Sequence, residues 1–295
     1  MDVRAKESAG IIGKLDFRSR SIRVLYGFIF IVLIVVSLAC LLPPLWVLSS
    51  SLKDIKEFFA IPPTLIPHTL QFDKLWETWS QLNFTRLYAN TLLMTVGMVA
   101  FSILFNGLMG YFFAVLKPAG HRFVFVLVLW TMLLPNTLGM VPIFKNIIDF
   151  PVLGVNLTNT FWPMWMMAGA HAFYVIVFKG FFEGIPQALI DAAKIDGGTR
   201  LAIFFRIVVP LSMPVMMAIT IFTVNATWAD FFWPYMVLKD KSMWTVIVAI
   251  FNLRTVVPLD IQFIALTFAI IPPALLFLFF QKYIMQGFTF SGIRG

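Results

Sequence analysis

Six long stretches that are almost free of charge set the limits on what this chain can become. They lie at roughly 24–48, 88–115, 122–144, 159–179, 212–238 and 260–282, each near the ~20 apolar residues that a helix needs to cross hydrocarbon. Inside a bilayer there is no water to bond a free N–H or C=O, so segments of this kind must satisfy their own backbone as α-helices. The expected fold class is therefore an all-α polytopic membrane protein with six transmembrane helices over 24–282, flanked by tails at 1–23 and 283–295. A charged fraction of only 12% fits no ordinary soluble domain.

Charge sets the orientation. With the N-terminus inside, the inner segments hold six Lys+Arg in 1–23, two in 116–122, four in 179–211 and two in 282–295, leaving eight of the 22 outside. Six acidic residues lie inside and eight outside, so the whole +8 net charge sits on the inner face. This bias predicts N-in and C-in, with both tails cytoplasmic. It also removes nucleic acid as an expected partner, because the positive charge follows topology rather than gathering in one patch. The single cysteine, Cys40, can form no internal disulfide and is expected to be a buried, inert thiol. A lipoprotein cleavage site there would need a shorter apolar core and no further spans, so 1–23 reads as a retained tail.

The spans differ in what they carry. The first is nearly pure Ile, Leu and Val, is expected to be broken by Pro43-Pro44 near its outer end, and reads as a lipid-facing helix. Residues 49–87 then form an outer segment of short interfacial helices with Trp76 and Trp79 as anchors. Span two holds Asn90, Gly97, Asn106, Gly107 and Gly110, small and polar residues of the kind found where membrane helices touch. Pro135, Asn136, Gly139 and Pro142 interrupt span three, making it a candidate gate or pore-lining kink. His171 in span four reads as a packing residue. Span five is the most polar, with Asn225 about 20 Å from Ser212 along a helix and Asp230 about 27 Å. Aromatic faces with hydrogen-bonding groups suit a pyranose, so Asn136, Asn225, Trp228 and Asp230 are the candidate solute path. A wet or structural Asp230 at the outer boundary is the plainer reading.

The longest polar interruption between spans four and five runs from Glu183 to Pro214. Pro186 fits the first turn of a helix over Gln187–Lys194, and Gly197-Gly198 supply a left-handed end. Thr199 is the N-cap expected for a second helix, on which Leu201, Phe204, Phe205 and Val208 share one apolar face. Two helices joined at a glycine corner make a compact knob suited to gripping by a partner. An amphipathic connector lying in the headgroups is the alternative.

Within that loop, Asp191-Ala192-Ala193, Asp196-Gly197, Phe205, Ile207 and Pro210 resemble the EAA loop of ABC-importer permeases, in the form carried by the carbohydrate-uptake (maltose-type) family. Asp191 stands where Glu is usual and Val209 where Leu is usual; Gly198 replaces a frequent Ala and is expected to loosen the corner. Residues 225–238, NATWADFFWPYMVL, and the tail QGFTFSGIRG resemble the same family.

The resemblance implies a type I importer permease fold in a bacterial cytoplasmic membrane. It also implies a coupling loop over 183–210, with Glu183, Pro186, Asp191, Ala192, Ala193, Asp196, Gly197, Phe205 and Pro210 facing an ATPase. The implied partners are a second homologous permease, two ATP-binding subunits that hold the ATP and Mg, an extracytoplasmic solute-binding protein, and a carbohydrate, most often an oligosaccharide. No cofactor or metal is expected in this chain, and no P-loop, HExxH or GxSxG pattern occurs in it. A secondary transporter or channel, a multi-span enzyme, and an importer of a non-sugar or acidic sugar-derived solute are the rivals.

Overall fold

A computed structural model describes residues 20–62, 64–151 and 153–291, and among these it describes side chains other than those of Asn136 and residues 282–291. Most of the expected N-terminal tail and the end of the C-terminal one therefore lie outside the described residues. The regular structure of the described residues is helical, apart from one isolated bridge between Phe150 and Val155.

The helices are α1 (Arg20–Ser50), α2 (Phe72–Gln81), α3 (Phe84–Leu116), α4 (His121–Thr131), α5 (Met140–Ile148) and α6 (Trp162–Ala168). They continue as α7 (Ala172–Glu183), α8 (Gln187–Ile195), α9 (Arg200–Leu211), α10 (Met213–Ala229), α11 (Phe232–Val237), α12 (Val246–Leu253) and α13 (Leu259–Ser291). Three of them, α1, α3 and α13, are each long and apolar enough to cross a membrane, and two bent pairs bring the total to five if each pair is one span. One pair is α6 with α7, bent by 43°; the other is α9 with α10, bent by 80°. The stretch 122–144 is the exception: its interruption is a full break, with α4 ending at Thr131 and a 3-10 turn over Asn136–Gly139 before α5.

Helix α3 is the hub. Its N-terminal half packs on α6, α10 and α12, and its C-terminal half lies against α7. The approach to α7 is close enough that a Cβ on Gly110 would stand 2.6 Å from the Phe178 Cβ and 3.1 Å from the Lys179 backbone nitrogen, so a side chain there would meet backbone that cannot swing away. Buried Val215, Ile219, Thr223 and Thr227 recur every fourth residue on α10, one stripe turned toward α3.

Asn106 is fully buried and bonds to both sides of the α6–α7 break. Its Nδ2 donates to the Ala168 carbonyl and its Oδ1 accepts from the His171 backbone N–H, each at 2.9 Å. The His171 ring, in turn, stacks on Tyr174 with centroids 4.2 Å apart.

Several expectations change here. Pro43 and Pro44 do not break the first span, since α1 runs through both, as α13 runs through Pro272 and Pro273. Cys40 is exposed rather than buried, because α1 finds its packing partner in α13 and leaves most of its own surface uncovered. The last helix does not stop near Lys282 but continues to Ser291, through most of the expected tail. Residues 212–238 divide at Asp230 into α10 and α11.

Replacing Asn106 by Leu keeps its bulk but strands a buried carbonyl and a buried N–H, each worth about 1–3 kcal/mol. Thermal unfolding of the detergent-purified protein should then fall by about 5 °C or more. The same change at exposed Asn225 should leave the midpoint within about 1 °C.

Candidate functional site

The knob forms from local chemistry. Pro186 stands at the N-cap of α8, one place before the helix, with extended ψ. At the other end Gly197 has φ +78°, its N–H bonds the Lys194 carbonyl at 3.0 Å, and the Gly198 N–H reaches back to the Ala193 carbonyl at 2.9 Å. This pair of bonds closes the helix as a Schellman motif and occupies its otherwise free carbonyls. Gly198 does not loosen the corner: a Cβ there would lie 2.7 Å from the Ala193 oxygen, so its absence is what allows the closure. Thr199 then caps α9, its Oγ1 accepting from the Ala202 N–H at 3.2 Å.

The apolar face of α9 differs from the expected one. Ile203, Phe204 and Val208 are buried, whereas Leu201 and Phe205 are exposed. A π-helical turn over Phe204–Val208 adds a residue to the repeat and rotates the stripe. The buried stripe joins Ile190 of α8 in a cluster with Tyr111, Phe178, Phe182, Val215 and Ile219, so the knob shares one core with α3, α7 and α10. The Tyr111 hydroxyl also donates to the Arg200 carbonyl at 3.1 Å.

Its outward face is the candidate contact surface. Glu183, Pro186, Asp191, Ala192, Asp196, Gly197, Phe205 and Pro210 are exposed, and Ala193 is half-buried. Asp191 accepts hydrogen bonds from Lys194 (2.9 Å) and Gln187 (3.1 Å), and the Lys194 ammonium with the Gln187 amide holds its carboxyl below the usual range. Glu183 pairs with Lys179 at 2.8 Å. Sequence reasoning missed Leu189 and Ile195, the latter 86% exposed. Their signal was there: a nine-residue helix apolar on more than one face needs more than one surface to cover it.

The four candidate path residues do not form one cluster. Asn225 is exposed on α10, its Nδ2 bonded to the Ile221 carbonyl at 3.1 Å. Asp230 is half-buried just past the end of α10, where its Oδ1 accepts from the Trp233 N–H at 3.4 Å. Trp228 turns inward: it is buried against Tyr88 and its Nε1–H is spent on the Ala269 carbonyl at 3.1 Å, so it braces α10 on α13 and offers a solute nothing. Asn136 opens the 3-10 turn between α4 and α5; its side chain lies outside the described set.

A bundle of long apolar helices with a helix–corner–helix loop sealed onto its core defines the class as a helical membrane protein. No protein-family model matches the chain. It is 31% identical to the arabinooligosaccharides transport system permease protein AraQ of Halalkalibacterium halodurans, over 91% of this chain and 95% of the relative. It is 28% identical to the polygalacturonan/rhamnogalacturonan transport system permease protein YtcP of Bacillus subtilis, over 92% and 97%. Its fold matches, at TM-score 0.77 and 23% identity over 90% of this chain and 98% of the other, a bacterial ABC transporter involved in the import of the acidic polysaccharide alginate. The chain belongs to the permease subunits of carbohydrate ABC import systems.

Replacing Gly198 by Val forces a Cβ onto the Ala193 carbonyl and should open the corner. Hydrogen exchange at the Gly197 amide is expected to quicken about tenfold, equivalent to ~1.4 kcal/mol, while amides in the α3–α7 interface keep their protection.

Proposed function

We infer that this chain crosses a bacterial cytoplasmic membrane six times, N-in and C-in, as one permease of an importer that carries an oligosaccharide inward. The broken pair α4–α5 supplies the third span, α6–α7 the fourth and α10–α11 the fifth, with α9 lying along the inner surface. A second permease completes the path, a solute-binding protein delivers the sugar outside, and two ATPase subunits holding ATP and Mg sit below. The reading is carried by the two-sided construction of the knob: one side sealed into the core of α3, α7 and α10, the other exposing Leu189, Ile195, Leu201 and Phe205. Positive charge concentrated on the inner segments supports this placement, and the names of the relatives support the sugar.

The knob would sit in a cleft of an ATPase, and closure of the ATPases on ATP would carry it as a rigid body, switching the helices between inward- and outward-facing arrangements. Asn225 and Asp230 would line the path. This permease itself has no part in hydrolysis.

The test is reconstitution of the chain with its genome-neighbouring permease and ATPase, measuring ATP hydrolysis with a binding protein loaded with different saccharides. Stimulation by one loaded form supports the importer and identifies its sugar. A stable chain that retains no ATPase overturns the reading. Ile195→Asp should reduce ATPase retention at least tenfold, and Gly197→Pro, incompatible with φ +78°, should leave hydrolysis without uptake.

A further inference from the structure

A groove of about 350 Å³ opens between α12 and the first turns of α13, beside Phe231 just past the end of α10. Its walls are almost wholly hydrocarbon, with Phe231, Ile250, Phe251, Leu253 and Leu266 among them. At its edge stands one cation. Arg254 is exposed, its guanidinium carbon lies 4.1 Å from the centre of the Phe251 ring, and it has no carboxylate partner among the described residues, whose ion pairs employ Lys74, Lys179 and Lys194. Stacking covers one face of the guanidinium and leaves its edge, a fork of N–H donors that matches phosphate or carboxylate.

An apolar slot with one anion-seeking donor set at its mouth fits an amphiphile. A saccharide fits poorly, since every buried hydroxyl needs a partner and the groove offers only Arg254 and Gln262, whose Nε2 already donates to the Val257 carbonyl at 3.0 Å. We propose that the groove holds an acyl chain of an anionic phospholipid, with Arg254 on its phosphate. The lipid would fill the seam between α12 and α13, where helix packing alone leaves a gap, and Arg254 would select an anionic headgroup over a zwitterionic one. The groove sits at the outer end of the bundle in the N-in orientation proposed above, so the lipid belongs to the outer leaflet.

The experiment uses the assembled transporter, delipidated in mild detergent and supplied with equal phosphatidylglycerol and phosphatidylcholine, with retained lipid measured by native mass spectrometry. A photoreactive phosphatidylglycerol locates the contact. Wild type should favour phosphatidylglycerol about fivefold, the preference expected of one interfacial cation, with crosslinks in α12 and the first turns of α13. Arg254→Gln should bring the ratio near one and Arg254→Lys should restore it. Leu266→Trp, which fills the slot from an exposed position, should remove crosslinks of both lipids. An unchanged ratio in Arg254→Gln, or crosslinks only elsewhere, overturns the proposal. So does a specific loss of uptake of a carboxylated saccharide in Arg254→Gln with lipid retention unaltered, which would place the groove on the solute path instead. None of these outcomes depends on whether a saccharide-loaded binding protein stimulates hydrolysis.

Discussion

Away from water, every backbone break must be closed by the protein itself, and Asn106 closes the one between α6 and α7. A chain that bends 43° between two apolar helices releases carbonyls and N–H groups that lipid cannot satisfy. One carboxamide, with two donors and an acceptor, meets that need on both sides of the bend. It can do so because α3 approaches closely, and glycine at position 110 permits the approach farther along the same helix. The position of α7, and of the knob that follows it, depends on this contact.

Several hydroxyls at the helix contacts first bond within their own helices. Thr91 and Thr95 on α3 and Thr227 on α10 donate to the carbonyls of Leu87, Thr91 and Thr223, four residues back. Such bonds occupy the hydroxyl proton within the helix and leave the oxygen free to accept, as Thr91 does from the Val246 N–H of α12 at 3.1 Å; Thr227 also lies 3.3 Å from the Met98 sulfur of α3. Interhelical hydrogen bonds in membranes average only about 0.6 kcal/mol. The crossings instead hold by close packing of small and β-branched side chains, with Thr223 and Ser102 as a polar cross-contact at 3.4 Å.

Local chemistry was the legible part. The glycine corner and the Thr199 cap follow from residues within one turn of each other, and the apolar runs announce helices. What escaped depends on partners distant in sequence. The π turn at Phe204–Val208 is invisible to a 3.6-residue count, and on the buried side Phe204 and Val208 are joined by Ile203 while Leu201 and Phe205 turn outward. Trp228 looked like a sugar platform because Asn225 and Asp230 flank it, yet it points at Ala269, 41 residues away. Pro43-Pro44 signalled a break that α1 does not have, and the exposure of Cys40 reflects a neighbour for α1 that no local pattern specifies.

The buried side of the knob explains how a push on it could reach the membrane. Ile190 from α8 and Ile203, Phe204 and Val208 from α9 share a cluster with Phe178 and Phe182 of α7 and with Val215 and Ile219 of α10. Close-packed interiors resist compression, so a displacement of α8 cannot be absorbed within the cluster and must move the helices that contribute to it. Those helices leave the knob on either side in the chain. The 80° corner at Ser212, whose buried hydroxyl donates to the Val208 carbonyl at 2.6 Å, makes α9 a short lever fixed to the foot of α10. A tilt of that lever would be felt at the far end of α10, about 26 Å away by helix rise, where Asn225 and Asp230 lie. The sealed core thus supplies the stiffness that an exposed loop alone would lack.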